Sequence, residues 1–331
     1  MDCNSQDVNI IGNALTCGDI SIASGYLRPA VPMTAGDMSL TGGTARFYCG
    51  AGLNHTVASL VAPNAGYVDF GTGVLTVTTG DVNLQNLVTG VNDQTGTVRL
   101  TAAAGTQTFT PRDGTSDHPA IDHTGASTLA LGGTVRARSF ASSAGGIDFN
   151  HHSVTCFAGS FSISNGTPTT VADLDGSTIT VTGGGSASFN GQPGQLLNVN
   201  PGGTWLVTVT GGGTLTADYA TIAYSDARGG AQGTASHSSD GGNNFNWFIG
   251  RIWIGLGATT NWNDGANWQG GSAPGPGESA LFDGGYSTKN CNLNVNASIA
   301  SILFQPSYTG TFSFGASELT LTGDCDFGGG L

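Results

Sequence analysis

Apolar and polar side chains alternate along residues 173–226 in short runs rich in Val, Ile, Thr and Phe. Alternation with a period of two indicates β-strands. The runs are 177–182, 186–190, 196–200, 205–210, 214–219 and 221–224. Gly, Pro, Asn and Asp occupy most of the breaks, and no break is long enough for a helix. Because short strands separated by turns can stack as successive coils, the pattern predicts an all-β fold, a β-solenoid of the parallel β-helix type.

The first 132 residues show the same alternation with longer breaks. Strands are predicted at 8–11, 19–23, 37–40, 45–48, 56–61, 67–70, 74–78, 81–87, 97–102 and 106–110. Comparable runs recur every ~18–24 residues, which fits one coil of a solenoid. At a strand spacing of about 4.8 Å, roughly 12–15 coils would form a rod about 60–70 Å long.

A change in composition near residue 250 predicts two domains, a β-solenoid at 1–249 and a Trp-rich all-β module at 250–331. The polar segment 225–248 is interpreted as the closing loop of the first domain. Four of the five tryptophans lie between Trp247 and Trp268. In the second module, strands are predicted at 292–295, 298–304, 311–314 and 318–322. This module is either a separate unit or the start of a second solenoid.

Composition and charge exclude several classes of protein. Gly supplies 55 of 331 residues without a G-X-Y period, which excludes collagen. Glu occurs only at Glu278 and Glu318, and Lys only at Lys289, so almost no exposed helix is expected. The net charge is −13, and nine scattered basic residues do not supply the basic groove that nucleic acid requires. No apolar run is long enough to cross a bilayer, so membrane insertion is not expected.

The six cysteines fit an oxidising or a reducing compartment equally well, and none forms a CxxC pair. Solenoid geometry restricts disulfides to nearby coils, because the two Cα atoms must lie within about 7 Å. The pairs that this condition allows are Cys3 with Cys17, Cys17 with Cys49, and Cys291 with Cys325. Cys156 has no cysteine on a nearby coil and is therefore predicted to be a buried thiol.

The segment 112–123, RDGTSDHPAIDH, holds the densest group of acids and imidazoles in the chain. Asp117, His118, Asp122 and His123 could hold a metal ion through imidazole and carboxylate. They could equally supply the general acid and base of a polysaccharide lyase or hydrolase. Their spacing matches no specific motif, and a solvated loop explains them as well.

Two further groups are candidates for binding sugars. Arg136 and Arg138 alternate with apolar residues and therefore share one exterior face, where they would bind an acidic sugar or balance the negative surface. Trp253, Trp262 and Trp268 could stack on sugar rings, although packing in an inter-domain core is the favoured alternative.

Calcium is the one cofactor that the sequence suggests. Asp240 and Asn243, and likewise Asn263 and Asp264, lie in turns rich in oxygen and Gly, which is the chemistry of calcium loops. Neither turn matches an established calcium motif, and side chains that close tight turns explain them equally well. The expectation is therefore no cofactor, with calcium as the alternative.

The segments TADYATIAYSDARGG and WIGLGATTNWNDGANWQGG resemble modules of low-complexity bacterial surface proteins and of phage fibre or spike proteins, which are similar to adhesins built on β-helices. The resemblance covers about residues 177–327. It implies a structural or adhesive role outside the cell or on a virion, and it carries over no catalytic residue. A glycan lyase or hydrolase and a carbohydrate-binding module remain the alternatives.

Expectations about location and partners follow from the two ends of the sequence. The N-terminal segment lacks the basic and apolar regions of a signal peptide, so either a signal was removed or the protein leaves the cell by another route, such as release of virions. Both ends carry strand patterns without a capping helix, which predicts head-to-tail or lateral association with copies of itself. A cell-surface glycan is the other expected partner.

Overall fold

The chain forms a β-solenoid of about 14 turns, 45% strand and 1% helical, which confirms the predicted fold class. The computed structural model describes residues 7–64, 66–87, 95–164, 170–193, 195–236, 238–323 and 325–327. Strands of successive coils pair in parallel along each sheet. In these ranges the one helix is the 3₁₀ turn Gly265–Asn267, and no helix there is long and apolar enough to cross a membrane.

Each coil passes through walls formed by different sheets. One sheet, called the long sheet, contains Leu15–Thr16, Met33–Thr34, His55–Val57, Val74–Val77, Thr97–Leu100, Ala120–His123, Phe140–Ser142, Phe161–Ser164, Ala187–Asn190, Leu215–Asp218, Gly233–Ser236, Trp247–Ile252, Ser279–Phe282, Ile302–Phe304 and Cys325–Asp326. The eight-stranded sheet contains Ile20–Ile22, Asp37–Leu40, Ser59–Val61, Val82–Asn83, Thr106–Thr110, Thr128–Leu131, Gly146–Asp148 and Val171–Ala172.

The remaining sheets complete the walls over parts of the solenoid. The N-terminal sheet contains Val8–Ile10, Tyr26–Pro29, Arg46–Tyr48 and Tyr67–Asp69. The six-stranded sheet contains Asp117–His118, Val135–Ala137, Val154–Cys156, Thr178–Val181, Trp205–Val209 and Ser225–Asp226. Three small sheets contain Leu197–Val199 with Ala220–Ile222 and Ser239–Asp240, Cys291–Asn292 with Phe312–Ser313, and Ala297–Ile299 with Leu319–Leu321.

Alternate residues of each strand point into the solenoid and pack against the coils before and after. Phe140 and Phe161 stack with ring centroids 5.5 Å apart, and the ring of Phe189 lies 5.7 Å from that of Phe161. Trp205 continues this column at 5.5 Å from Phe189. All four side chains are fully buried. Each coil therefore removes the apolar face of its neighbours from water, which is what stabilises the fold.

The long sheet continues through the predicted domain boundary. Strand Trp247–Ile252 pairs with Gly233–Ser236 through its first residues and with Ser279–Phe282 through its last ones. The buried core changes there, because the first hydrophobic cluster ends at Ile249 and the second begins at Trp253. The division into 1–249 and 250–331 stays a prediction, with one sheet shared by the two parts.

Several local predictions were wrong. Segment 225–248 is not a closing loop, because it contributes Ser225–Asp226, Gly233–Ser236 and Ser239–Asp240 to three sheets. The single strand predicted at 56–61 is two strands, separated at Ala58, where the chain turns a corner between the long and the eight-stranded sheet. Apolar residues face inward on both sides of such a corner, so alternation alone does not reveal it.

The candidate disulfides Cys17–Cys49 and Cys291–Cys325 are not formed, since all four residues are free thiols. The two cysteines of each pair belong to different walls of the solenoid. The backbone N–H of Cys17 extends the ladder of the long sheet, whereas Cys49 follows a strand of the N-terminal sheet. Likewise Cys291 and Cys325 lie in different sheets. Cys3 lies outside the described residues.

We expect Ellman's reagent to leave Cys49, Cys156 and Cys291 unmodified in the native protein. The three thiols are buried, and burial raises the pKa of Cys156 to about 12 and that of the other two as well, so little thiolate is present. Mass spectrometry of the labelled peptides measures this, with Cys325, which is exposed, as the internal positive control. Rapid labelling of Cys156 in the native state would contradict the placement of its strand.

We expect Gly213→Ala to lower the free energy of unfolding by about 1–3 kcal/mol. An added Cβ at this position would lie 1.8 Å from the carbonyl oxygen of Gly185 on the preceding coil, and a backbone atom cannot turn aside as the end of a flexible side chain can. The matched control is Gly18→Ala, where nothing lies within 4 Å of the added Cβ and a change below about 0.5 kcal/mol is expected. Equal urea midpoints for the two variants would contradict this packing.

Candidate functional site

The candidate acid–base residues lie on opposite sides of the solenoid wall. Segment 112–123 is not simply a solvated loop, because Asp117–His118 and Ala120–His123 are strands. His118 and His123 point inward and are 0% exposed. Asp117 and Asp122 point outward and are partly exposed. A general acid and base or a metal ion therefore cannot combine these carboxylates with these imidazoles.

Each of these side chains has a structural partner. Nδ1 of His118 lies 3.0 Å from the carbonyl oxygen of Arg136, and Nδ1 of His123 lies 3.0 Å from Oγ of Ser142. Burial lowers the pKa of both imidazoles. On the outer side, the guanidinium of Arg136 donates to Asp117. Arg99 donates to Asp122 at 2.8 Å, so both carboxylates join neighbouring coils.

The other predicted sugar-binding residues have different surroundings. Trp253, Trp262 and Trp268 are at most 1% exposed and form the second core with Phe282. Nε1 of Trp268 donates to the carbonyl oxygen of Trp262, and Nε1 of Trp253 donates to that of Lys289. Rings enclosed in this way offer no face to a sugar, so the structure agrees with the packing alternative.

Arg136 and Arg138 are both partly buried residues on or next to one strand of the six-stranded sheet. Arg136 is already paired with Asp117, and its guanidinium lies 5.1 Å from the ring centroid of Phe157. The charge of Arg136 is thus balanced within the protein, which leaves Arg138 alone as a cation for an acidic sugar on this face.

The predicted calcium turns use their oxygen atoms to close the backbone. Oδ1 of Asp240 accepts hydrogen bonds from the backbone N–H of Gly242 and from Nδ2 of Asn244. Asn243, in the same turn, has a left-handed backbone with φ of 58°. In the second turn, Asp264 caps the 3₁₀ turn, and Oδ1 of Asn263 accepts from Nδ2 of Asn294. The hydrogen bonds of Asp240 and Asp264 are those of tight turns, whereas the bond of Asn263 joins two neighbouring coils.

One other group of side chains has the composition of a metal site. Potential ligand atoms of His151, Asp173 and Asp175 lie within 4.8 Å of one another on the surface. Nδ1 of His151 lies 3.0 Å from the carbonyl oxygen of Asp175 and 3.4 Å from its carboxylate, and these contacts raise the pKa of His151. An imidazole and two carboxylates can hold a divalent cation, or they can form a simple ion pair with a protonated His151.

The outer face of the N-terminal sheet carries a concentration of tyrosine and arginine that the sequence analysis missed. We call it the Tyr–Arg face, and it consists of Tyr26, Arg28, Arg46, Tyr48 and Tyr67. Register brings these residues together, because Tyr26 lies opposite Arg46, and Arg46 lies opposite Tyr67 on the next coil. Their side chains alternate with the buried Leu27, Phe47 and Val68, so they project to the outside.

Aromatic rings and guanidinium groups contact each other across this face. The guanidinium of Arg28 lies 4.5 Å from the ring centroid of Tyr48 and 5.1 Å from that of Tyr26. The guanidinium of Arg46 lies 5.6 Å from the ring centroid of Tyr67. The Tyr48 ring is 6.2 Å from Tyr26 and 5.7 Å from Tyr67. Cation–π attraction of this kind fixes the arginines in place and retains their charge.

A shallow depression borders the Tyr–Arg face. Its lining includes Arg28, Tyr48, Asp69, Gly50 and Gly71. The depression has a volume of about 160 Å³. It therefore brings a cation, an aromatic ring and a carboxylate around one small space that is open to solvent.

Comparison with protein-family models, with curated proteins and with solved structures finds no match to this chain. The fold defines its class, a parallel β-solenoid. The resemblance to bacterial surface proteins and phage fibres stays an expectation.

Proposed function

We propose that this protein is a non-enzymatic structural and adhesive β-solenoid, a subunit of an extracellular fibre on a virion or a bacterial surface that associates with copies of itself. The observation that carries the proposal is the long sheet, in which 15 strands pair in one uninterrupted parallel order. A ladder of this length with a dry core on one side resists bending and local opening. Such a rod displays its outer faces to partners.

Two features of the surface support the adhesive and self-associating parts of the proposal. The Tyr–Arg face supplies aromatic and cationic groups, which are enriched at contact sites. In the C-terminal part, Leu256 is 76% exposed, and Tyr286 and Phe314 are each 50% exposed. Apolar side chains that remain in water favour burial against a second protein surface.

Proteolysis and sedimentation of the purified full chain test the proposal. We expect the native protein to resist proteinase K under conditions that digest the same chain in urea. Sedimentation velocity should show concentration-dependent assembly, and negative-stain images should show rods or filaments. A compact monomer at every concentration that is digested as fast as its unfolded form would contradict the proposal.

A further inference from the structure

We propose that the Tyr–Arg face binds an anionic polysaccharide whose sugars carry carboxylates. This inference deepens the adhesive function proposed above, because it assigns that function a surface and a class of ligand. It rests on the way in which the two arginines of the face differ from other arginines of this acidic chain.

Most arginines are neutralised by a carboxylate of the protein. Within the described part of the chain, five of the nine basic residues form such ion pairs, namely Arg99, Arg112, Arg136, Arg228 and Arg251. Within the described ranges, neither Arg28 nor Arg46 has a carboxylate within 4.0 Å, and both rest on tyrosine rings instead. In a chain of net charge −13, the two form a local positive patch that no acidic side chain of the described residues neutralises directly.

The packing of these arginines leaves their hydrogen-bonding edges available. Contact with an aromatic ring does not use up the N–H groups of a guanidinium, which keep their capacity to donate hydrogen bonds. Among the described residues no side chain accepts a hydrogen bond from Arg28, and Arg46 makes only one long contact, 3.5 Å to Oη of Tyr48. The planar fork of N–H donors matches a carboxylate, which it can bind with two parallel hydrogen bonds.

The tyrosines and the spacing of the coils favour a sugar polymer as the carrier of those carboxylates. Tyr26, Tyr48 and Tyr67 are partly exposed and present apolar ring surface with a polar hydroxyl, the combination that packs against the C–H face of a pyranose. Arg28 and Arg46 lie on neighbouring coils, about 4.8 Å apart along the axis and offset by two residues along the strand, because Arg46 pairs with Tyr26. A polymer with a charge on successive sugars can therefore contact both arginines, and Asp69 in the adjoining depression can accept hydrogen bonds from hydroxyl groups.

Binding of the full chain to polygalacturonate tests this assignment, with fully methyl-esterified polygalacturonate as the uncharged counterpart. We expect biolayer interferometry to show binding of the acidic polymer that is at least about tenfold tighter than that of the ester and that weakens as salt is added. The double variant Arg28→Gln/Arg46→Gln should lose at least about tenfold in affinity. Arg99→Gln, which removes an arginine of the long sheet that is already paired with Asp122, should bind within about twofold of the unchanged protein.

Several results would overturn the assignment. They are no binding of polygalacturonate, equal binding of the ester, unchanged affinity of the double variant, and displacement of the polymer by a lower concentration of single-stranded DNA. Circular dichroism shows whether the double variant folds. If it does not fold, the affinities of the unchanged protein for polygalacturonate and for its methyl ester still test the assignment. Resistance to proteinase K and assembly do not involve this face, so the rod can be supported while this assignment fails.

Discussion

Phe161→Ala should lower the free energy of unfolding by about 3–5 kcal/mol. Phe161 is fully buried at the centre of the aromatic column and contacts the rings of Phe140, Phe149 and Phe189. Truncation leaves a cavity between three coils, and the stacked backbone above and below cannot close it without breaking ladder hydrogen bonds. Urea denaturation followed by circular dichroism measures the loss.

The matched control for Phe161→Ala is Leu206→Ala. Leu206 also lies in the middle of the solenoid, but its side chain is on the outer side and is 43% exposed. A change below about 0.5 kcal/mol is expected there, since its side chain already contacts water. In a solenoid the loss at Phe161 should also be local, because each coil interacts only with its neighbours. A Phe161→Ala variant as stable as the control would show that the column does not hold the coils together.

Acidification from pH 8 to pH 5 should destabilise the protein strongly. Burial lowers the pKa of His55, His118 and His123, whereas in the unfolded chain they titrate near 6.5. Below pH 6.5 the unfolded state therefore binds protons that the folded state excludes. The stability that the neutral imidazoles provide is complete above pH 6.5 and falls as the pH decreases towards their folded pKa values. The expected slope is about 1.4 kcal/mol per pH unit for each histidine.

Urea midpoints measured between pH 8 and pH 5 test the acid sensitivity. His118→Gln should reduce the slope by about one third, because one of three buried histidines is lost. His151→Gln is the control, because His151 is exposed and its pKa is raised. Protonation of His151 therefore stabilises the folded state, whereas protonation of the buried histidines destabilises it. Removing it should leave the slope unchanged or slightly steeper. A urea midpoint that stays constant from pH 8 to pH 5 would contradict the inward placement of the three imidazoles.

Alternation along the chain was sufficient to predict the class of fold, because most inward positions of the coils are apolar. The same alternation also indicates on which side of the wall the side chains of His118 and His123 lie. His123 is in phase with the buried Ile121, and Asp122 is out of phase with both. The density of charged residues in segment 112–123 obscured that phase and suggested a loop.

The Tyr–Arg face could not be predicted from the sequence. Its residues are about one coil apart in sequence and become neighbours only through the register of the strands. Strand Tyr26–Pro29 was missed because it ends in proline, which usually indicates a turn or the end of a strand. The cluster of His151, Asp173 and Asp175 was missed for the same reason of register. The coil length varies from 14 residues between Gly233 and Trp247 to 29 residues between Gly250 and Ser279, which prevents alignment of the coils from sequence alone.

Distances between spin labels test whether the coils stack along a single axis. Thr76, Ser162 and Thr216 lie in one column on the outside of the long sheet, four and two coil steps apart. The labels are attached with Cys3, Cys17 and Cys325 replaced by serine. The expected distances are about 19 Å between Thr76 and Ser162, about 10 Å between Ser162 and Thr216, and about 29 Å between Thr76 and Thr216. Distances that do not add up along one line would contradict the solenoid.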